Sequence, residues 1–355
     1  MSVSAAPAPG ARTDAGAKVR RRHGAPALSA GLVLLAVLLV LMTAVSLAVG
    51  SGHVALHDVF HGVFDPDRSV RGQLVVQQVR VPRTCAGLLA GVALGLAGTL
   101  MQGVTRNPLA DPGLLGVNAG ASVAVVFAIS VLSLTEPSQY IWFGFLGACV
   151  AATLVYGVGS LGREGATPVK LALAGAAATA VLGALTNVVL LTDDQTFDQF
   201  RFWQVGALNG RDIDVVEQAL PFVVIGAVLA LASGARLNGL ALGDDVARGL
   251  GQRVAVTRVF STACVVLLCG AATAVAGPIG FVGLAVPHAA RLITGPDYRW
   301  ILPYSALMAP TLLLAADVIG RLIARPGEVQ VGVVTAALGC VPFILLVRRR
   351  AQVEL

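Results

Sequence analysis

The stretch Arg80-Val-Pro-Arg-Thr-Cys-Ala-Gly-Leu-Leu-Ala-Gly-Val-Ala-Leu-Gly-Leu-Ala-Gly-Thr-Leu-Met-Gln-Gly-Val-Thr-Arg-Asn-Pro-Leu-Ala-Asp-Pro-Gly-Leu-Leu-Gly-Val117 decides the fold. Its middle is apolar and built from small residues, and both ends carry arginine and proline. Small residues let membrane helices approach one another closely. The stretch therefore predicts a membrane helix packed tightly among other helices, with a polar turn at each end.

The rest of the chain agrees. Of 355 residues, 56% are hydrophobic and only 12% are charged, and the mean hydropathy is +0.81. A soluble domain carries about 25% charged residues, so half that share over this length implies an all-α, polytopic membrane protein. The 41 glycines fit the same picture. A pI near 9.4 does not point to nucleic acid, because the cations stand at the ends of apolar runs, where they set orientation. Cys85, Cys149, Cys264, Cys269 and Cys340 all lie inside apolar runs with no CxxC pair, and they read as small core residues.

Residues 1–27 are rich in Ala, Pro, Gly and Arg and read as a disordered cytoplasmic tail. Leu28–Val49 follows Arg20, Arg21 and Arg22. A cleaved leader has an apolar core of about 7–15 residues, and this run is longer, enough to span a bilayer. About ten spans follow from the pattern, at 28–49, 84–104, 112–134, 140–161, 169–191, 216–234, 256–276, 278–293, 301–323 and 329–347. The eighth is short. With the N-terminus inside, about two thirds of the Lys and Arg fall on the cytoplasmic side, as positive-inside bias requires of an even number of spans with both termini cytoplasmic. Gly91-Val-Ala-Leu-Gly-Leu-Ala-Gly98 echoes Gly270-Ala-Ala-Thr-Ala-Val-Ala-Gly277 in the opposite direction, the relation an inverted repeat produces.

Several chemistries lack their residues. A phosphate-binding loop ends in Lys-Ser/Thr, and the two lysines, Lys18 and Lys170, follow no such loop. ATP-driven work would need a separate ATPase. His53, His57 and His61 share a helical face and read as part of a short amphipathic helix at the outer surface. Only Asp58 and Asp65 stand near as further metal ligands, so no metal site or cofactor is assigned. A membrane enzyme or an ion-coupled transporter gathers ionisable residues within its spans. Here those are nearly confined to Asp317 and Arg321.

Leu237-Asn-Gly-Leu-Ala-Leu-Gly-Asp-Asp-Val-Ala-Arg-Gly-Leu-Gly-Gln-Arg253 is the most telling loop. Asp244 or Asp245 can cap a short helix, and Gly249 or Gly251 can end one. The outcome is one or two short helices between the sixth and seventh spans, either a polar connector or an element that fits a partner's groove. At the other face, Arg80, Arg83 and Arg321 break the positive-inside bias. Exposed cations there suit an acidic partner, headgroup contact, or for Arg321 an i,i+4 pair with Asp317.

Three motifs carry a resemblance. They are Arg80-Val-Pro-Arg83 with its run to Arg106-Asn-Pro-Leu-Ala-Asp-Pro-Gly-Leu-Leu-Gly116, the Leu240–Gly251 loop, and Gly277-Pro-Ile-Gly-Phe-Val-Gly-Leu-Ala-Val-Pro-His-Ala-Ala-Arg291. From about Leu28 to Arg349 the chain resembles the FecCD-type permeases of ABC importers for iron–siderophore complexes, haem or vitamin B12. The resemblance implies a vitamin B12 permease-like transmembrane domain over 28–349, in the cytoplasmic membrane. It implies no catalysis by this chain. The implied partners are two cytoplasmic ABC ATPase subunits, an extracytoplasmic substrate-binding protein, and a second permease copy or paralogue. Arg80, Arg83 and Arg321 would dock the binding protein. The 235–255 loop would couple to the ATPase through Leu240, Leu242, Gly243, Asp244, Asp245, Ala247, Arg248, Leu250 and Gly251. Asn107, Pro108, Asp111, Pro112, Thr167, His288 and Arg291 would form the cytoplasmic turn and gate. At Thr167-Pro-Val-Lys170 the chain keeps one hydroxyl where relatives carry several. The third and fifth spans and Phe200–Asn209 are the pathway-lining candidates. Ferric siderophore is the expected substrate, with haem or cobalamin as alternatives and an ATP-independent transporter as the rival class.

Overall fold

The computed structural model describes residues 24–340 except 53, 66, 68 and 163–166. Residues 1–23 of the expected N-terminal tail and 341–347 of the tenth span lie outside the described residues, as does His53; Ala25–Ala27, expected in the tail, open the first helix instead. The described residues are helical with no strand. In chain order the helices are α1 (Ala25–Ala48), α2 (Leu56–Phe64), α3 (Arg71–Val75), α4 (Val81–Thr105), α5 (Val117–Ser130), α6 (Pro137–Gly159), α7 (Pro168–Thr192), α8 (Asp194–Gln204), α9 (Ile213–Ala232), α10 (Gly234–Ala241), α11 (Asp244–Gly249), α12 (Val254–Ala276), α13 (Val282–Thr294) and α14 (Tyr298–Ile323). A last helix, α15, runs Val331–Cys340.

Each of the ten expected spans coincides with a helix. Among the described residues, seven helices are long and apolar enough to cross a membrane. One of them joins α3 to α4 through a π-helical turn at Val76–Arg80, giving a continuous 35-residue rod from Arg71 to Thr105. The other three spans hold shorter helices, α5, α13 and α15. Local backbone breaks shorten two of them. A 3-10 turn at Pro112–Leu115 precedes α5, and α13 starts only after Gly277 and Phe281, both with positive φ. Irregular backbone at membrane depth must be satisfied by protein. Here Ala207 N–H donates to Ala276 O (2.8 Å), and Gly332 N–H donates to Gly206 O (3.1 Å).

α4 is the central post. It packs against α14, α12, α9 and α13, and nearly every residue from Pro82 to Thr105 is buried. Its small residues explain why. A Cβ at Gly91 would stand 2.7 Å from the Pro310 nitrogen, and one at Gly95 would stand 2.6 Å from Ser305 O. Only bare backbone lets α14 come that close. The two echoing segments lie on α4 and α12, which run along each other. α1 is the reverse case, with almost no buried surface and a ridge of exposed Val33, Leu34, Val37 and Leu41. That ridge is what a lipid-facing helix presents.

Candidate functional site

Two sites stand at opposite ends of the α4 rod, one at Arg80–Arg83 and one around Arg106. At the first, α1, the π turn, α14 and the segment before α15 converge on three arginines. Arg83 holds Asp317 through Nε and Nη2 (2.7 Å at the shortest) and reaches Glu328 through Nη1 at 2.6 Å. Arg321 pairs with the same Asp317, one turn back on α14, through Nε (2.9 Å) and Nη2. Its Nη1 donates to the carbonyls of Ser46 and Val49, both at 2.8 Å. Arg80 donates to Leu47 O, Ala48 O and Gly52 O. A helix C-terminus leaves carbonyls unpaired, and here two guanidiniums fill that need for α1. The expectation of exposed cations is therefore corrected: Arg80, Arg83 and Arg321 are buried, Arg321 to 1%. They line a cavity of about 520 Å³, whose charged lining is Asp58, Arg71, Arg80, Arg83, Arg321 and Glu328. Even with Asp317 beneath it, this cavity keeps an excess of cations.

Glu328 stands outside the spans, between α14 and α15. Burial would push its carboxyl up, but the Arg83 hydrogen bond and charge, with help from Ser51 and Arg321, hold it below the usual carboxylate range.

At the other end, the Leu237–Arg253 segment forms two short helices, α10 and α11. Asp244 opens α11 and ties it down, accepting from Arg106 Nη2 at 2.9 Å and from Arg258 Nη2 at 3.0 Å. Gly243 takes φ +105 between the two helices, a conformation that suits glycine alone. The expected coupling residues divide. Leu240 and Ala247 are buried and hold the helices to the bundle, whereas Leu242, Asp245, Arg248 and Leu250 are exposed, as is Val246, which the sequence reading did not include. Arg248 pairs with Asp245 at 3.0 Å. Gly251 has φ +79 and turns the chain toward α12. A groove of about 1000 Å³ runs beside this element, with Leu242, Leu250, Arg291, Ile293 and Trp300 among its walls.

The turn residues hold backbone. Asn107 Oδ1 accepts from Leu109 N–H at 2.9 Å, and Asp111 Oδ1 accepts from Gly113 N–H at 2.8 Å, capping the 3-10 turn that Pro112 begins. Pro108 lies between them. Thr167 Oγ1 caps α7 by accepting from Lys170 N–H at 3.4 Å. Arg291 on α13 reaches Gln102 Oε1 (3.4 Å) and Tyr298 Oη (3.2 Å), and Gln102 donates to Leu284 O. His288 is half-buried one turn earlier. Asn107, Pro108, Arg291 and the α10–α11 element thus gather at the Thr105 end of α4, while Pro112 shares the surroundings of Gly283 with Leu94 and Gly98, midway along α4, and Thr167 starts α7. His57 and His61 stack with ring centroids 4.3 Å apart on α2. The described residues contain no group of three or more His, Cys, Asp or Glu placed to hold a metal.

Sequence reasoning missed Glu328, Ser46, Arg258, Gln102 and the Asn238–Asp297 contact (2.6 Å). Their partners are distant in sequence, 245 residues for Arg83 and Glu328, and no periodicity links such pairs.

A post of small residues carrying a buried ionic cluster at one end and short loop helices at the other, in a bundle of apolar spans, is the architecture of a multi-pass membrane transport protein. The chain belongs to the FecCD transport family, matched over residues 38–349. It is 46% identical to the ferric enterobactin transport system permease protein FepD of Escherichia coli, covering 91% of this chain and 95% of that one. It is 40% identical to the siderophore transport system permease protein YfiZ of Bacillus subtilis, over 92% and 98%. Haemin and cobalamin permease proteins are also among its relatives. A solved structure described as a metal-chelate-type ABC transporter in an inward-facing conformation matches with TM-score 0.79 and 26% identity, over 90% of this chain and 99% of the other.

Proposed function

We propose that this chain is the permease subunit of an ATP-driven importer that carries ferric siderophore across the cytoplasmic membrane. Its transmembrane domain runs over 28–349, with both termini cytoplasmic and a second permease copy or paralogue beside it. The observation that carries the reading is the rigidly anchored α10–α11 element. Asp244 fixes it between Arg106 and Arg258, and it presents Leu242, Val246 and Leu250 to solvent next to a groove. Exposed apolar side chains on a firmly held loop suit a permanent partner, and a chain without a phosphate-binding loop needs one to use ATP. The exposed set couples to the ATPase, and Leu240, Gly243, Asp244, Ala247 and Gly251 hold it in shape.

The cation-rich cavity at the opposite end suits a binding protein that presents carboxylates. Arg80, Arg83 and Arg321 act there from beneath the surface. ATP binding and hydrolysis bias the two access states by contacting them differently. Relatives named for enterobactin, siderophore, ferric citrate and ferric hydroxamate support a ferric chelate as cargo.

The test is uptake of labelled ferric siderophores, haem and cobalamin by cells lacking the chain and by cells given it back. Loss and recovery of ferric siderophore uptake alone supports the assignment. Loss of haem or cobalamin uptake instead moves the substrate within the family.

A further inference from the structure

α2 has a face that nothing in the bundle covers. Leu56, Phe60, Val63 and Phe64 are exposed, the first two at 74% and 62% and Phe64 at 73%. At about 100° per residue these four fall within one arc. The opposite side holds Gly62 and Asp58, and both are used inward. Gly62 sits against Val76 and Gln73, and Asp58 sits against Gly72. The apolar face therefore points directly away from the protein. Asp58, on the inward side, lines the arginine cavity, so a partner filling that cavity meets the back of α2 and leaves this face open.

The height of α2 is fixed from two directions. The connection from α1 is pinned, because Arg80 and Arg321 hold the carbonyls of Ser46, Leu47, Ala48, Val49 and Gly52. α2 therefore begins level with the end of a lipid-facing span. Second, α2 leans on Gly72–Val76 of the long rod, which is about 7–13 Å before Val81 at 1.5 Å per residue. The 25 residues of α4 already cover about 37 Å, more than the hydrocarbon core of about 30 Å. α2 thus lies at the height of the headgroups. A helix parallel to the surface sinks its apolar face about 5–10 Å into that boundary.

We propose that α2 is a membrane-surface anchor, with its Leu56–Phe60–Val63–Phe64 face seated in the lipid headgroup layer on the arginine-cavity side. It continues the lipid contact of the exposed α1 ridge. Phe60 and Phe64, with ring centroids 4.9 Å apart, form its aromatic centre, and aromatic side chains favour this layer. His57 and His61 border the face, amphipathic rings that suit a half-wet setting. The anchor holds the wall of the arginine cavity at a fixed height above the membrane.

The test is photo-crosslinking of the full chain in vesicles of phosphatidylethanolamine and phosphatidylglycerol, and again in intact cells. Phe60→p-benzoylphenylalanine is compared with the same replacement at Leu34, on the exposed α1 ridge, and at buried Phe200. The proposal expects lipid adducts at position 60 within about threefold of those at 34, as for a side chain resting in the headgroup boundary, with none at 200. A second arm places the probe at Val63 in an F60S/F64S background, where lipid adducts should fall several-fold. Lipid adducts at 34 but not at 60 overturn the proposal. So does a protein adduct at 60 in either setting, which would make this face a binding-protein or permease–permease contact.

Discussion

At the scale of the residue, Asp317 is the keystone. It is fully buried and shared by Arg83 and Arg321. Removing one partner of a buried ion pair leaves an uncompensated charge and costs about 3–5 kcal/mol. Asp317→Asn should therefore destabilise the folded protein by that order, read as a fall in the detergent-solubilised melting temperature and in membrane yield. Glu328 is different, because its side chain keeps some exposure and it is replaceable. A partner's carboxylate docking on Arg83 must displace it, so E328Q should bind an acidic extracytoplasmic partner several-fold more tightly, as measured by surface plasmon resonance. Its pH signature follows from its lowered carboxyl. The stabilisation by Glu328 is complete above the ordinary carboxylate value of about 4.3 and fades as pH falls from there through the lower folded value. The melting-temperature gap between wild type and E328Q should stay flat from neutral pH down to about 4.3 and close as pH falls from there to the lower folded value. The arginines themselves were legible, because cations at apolar ends stand out. Their burial was not, because Asp317 lies 234 residues from Arg83 and the carbonyls that draw them in belong to α1.

At the scale of the element, the α4–α14 contact depends on missing side chains. Gly91→Leu forces a side chain into the Pro310 backbone and should abolish the monodisperse protein in gel filtration, whereas Ala at Gly183, with open space around it, should leave it unchanged. The loop helices give the complementary case. Leu250→Asp together with Val246→Asp alters exposed positions, so expression and melting temperature should hold while uptake falls at least about tenfold, the effect of a loss near 1.4 kcal/mol in coupling. Hydropathy revealed where the helices lie, since each expected span contains one, seven of them long and apolar enough to cross a membrane among the described residues. The eighth span already read as short, and α13 is short; hydropathy did not reveal that α5 is short too, because its flanking residues are as apolar as a helix and only the turn at Pro112–Leu115 cuts it. Nor did it show that the Arg71–Thr105 rod begins well before the second span. The short loop helices were legible from Asp244 and the glycines, but which of their residues face out was not. Leu240 and Leu250 look alike in sequence, and only packing separates them.

At the scale of the whole molecule, the proposed function is that of a transport chain to which partners deliver work at one end and cargo at the other. Among the described residues, the ion pairs within the spans cluster at the Arg83–Asp317–Arg321 end, where they are fully engaged with one another. A further acid at membrane depth, Asp111, accepts from Gly113 N–H, so the described spans offer few of the acids an ion-coupled carrier would need. The energy source is therefore the central claim, and the most direct measurement separates two supplies in living cells. Uptake of labelled ferric siderophore by cells relying on this chain is followed after arsenate, which drains ATP, and separately after a protonophore with ATP maintained. The account predicts that arsenate stops uptake and that the protonophore, with ATP held level, leaves it intact. Uptake that survives ATP depletion and collapses with the proton gradient would contradict it.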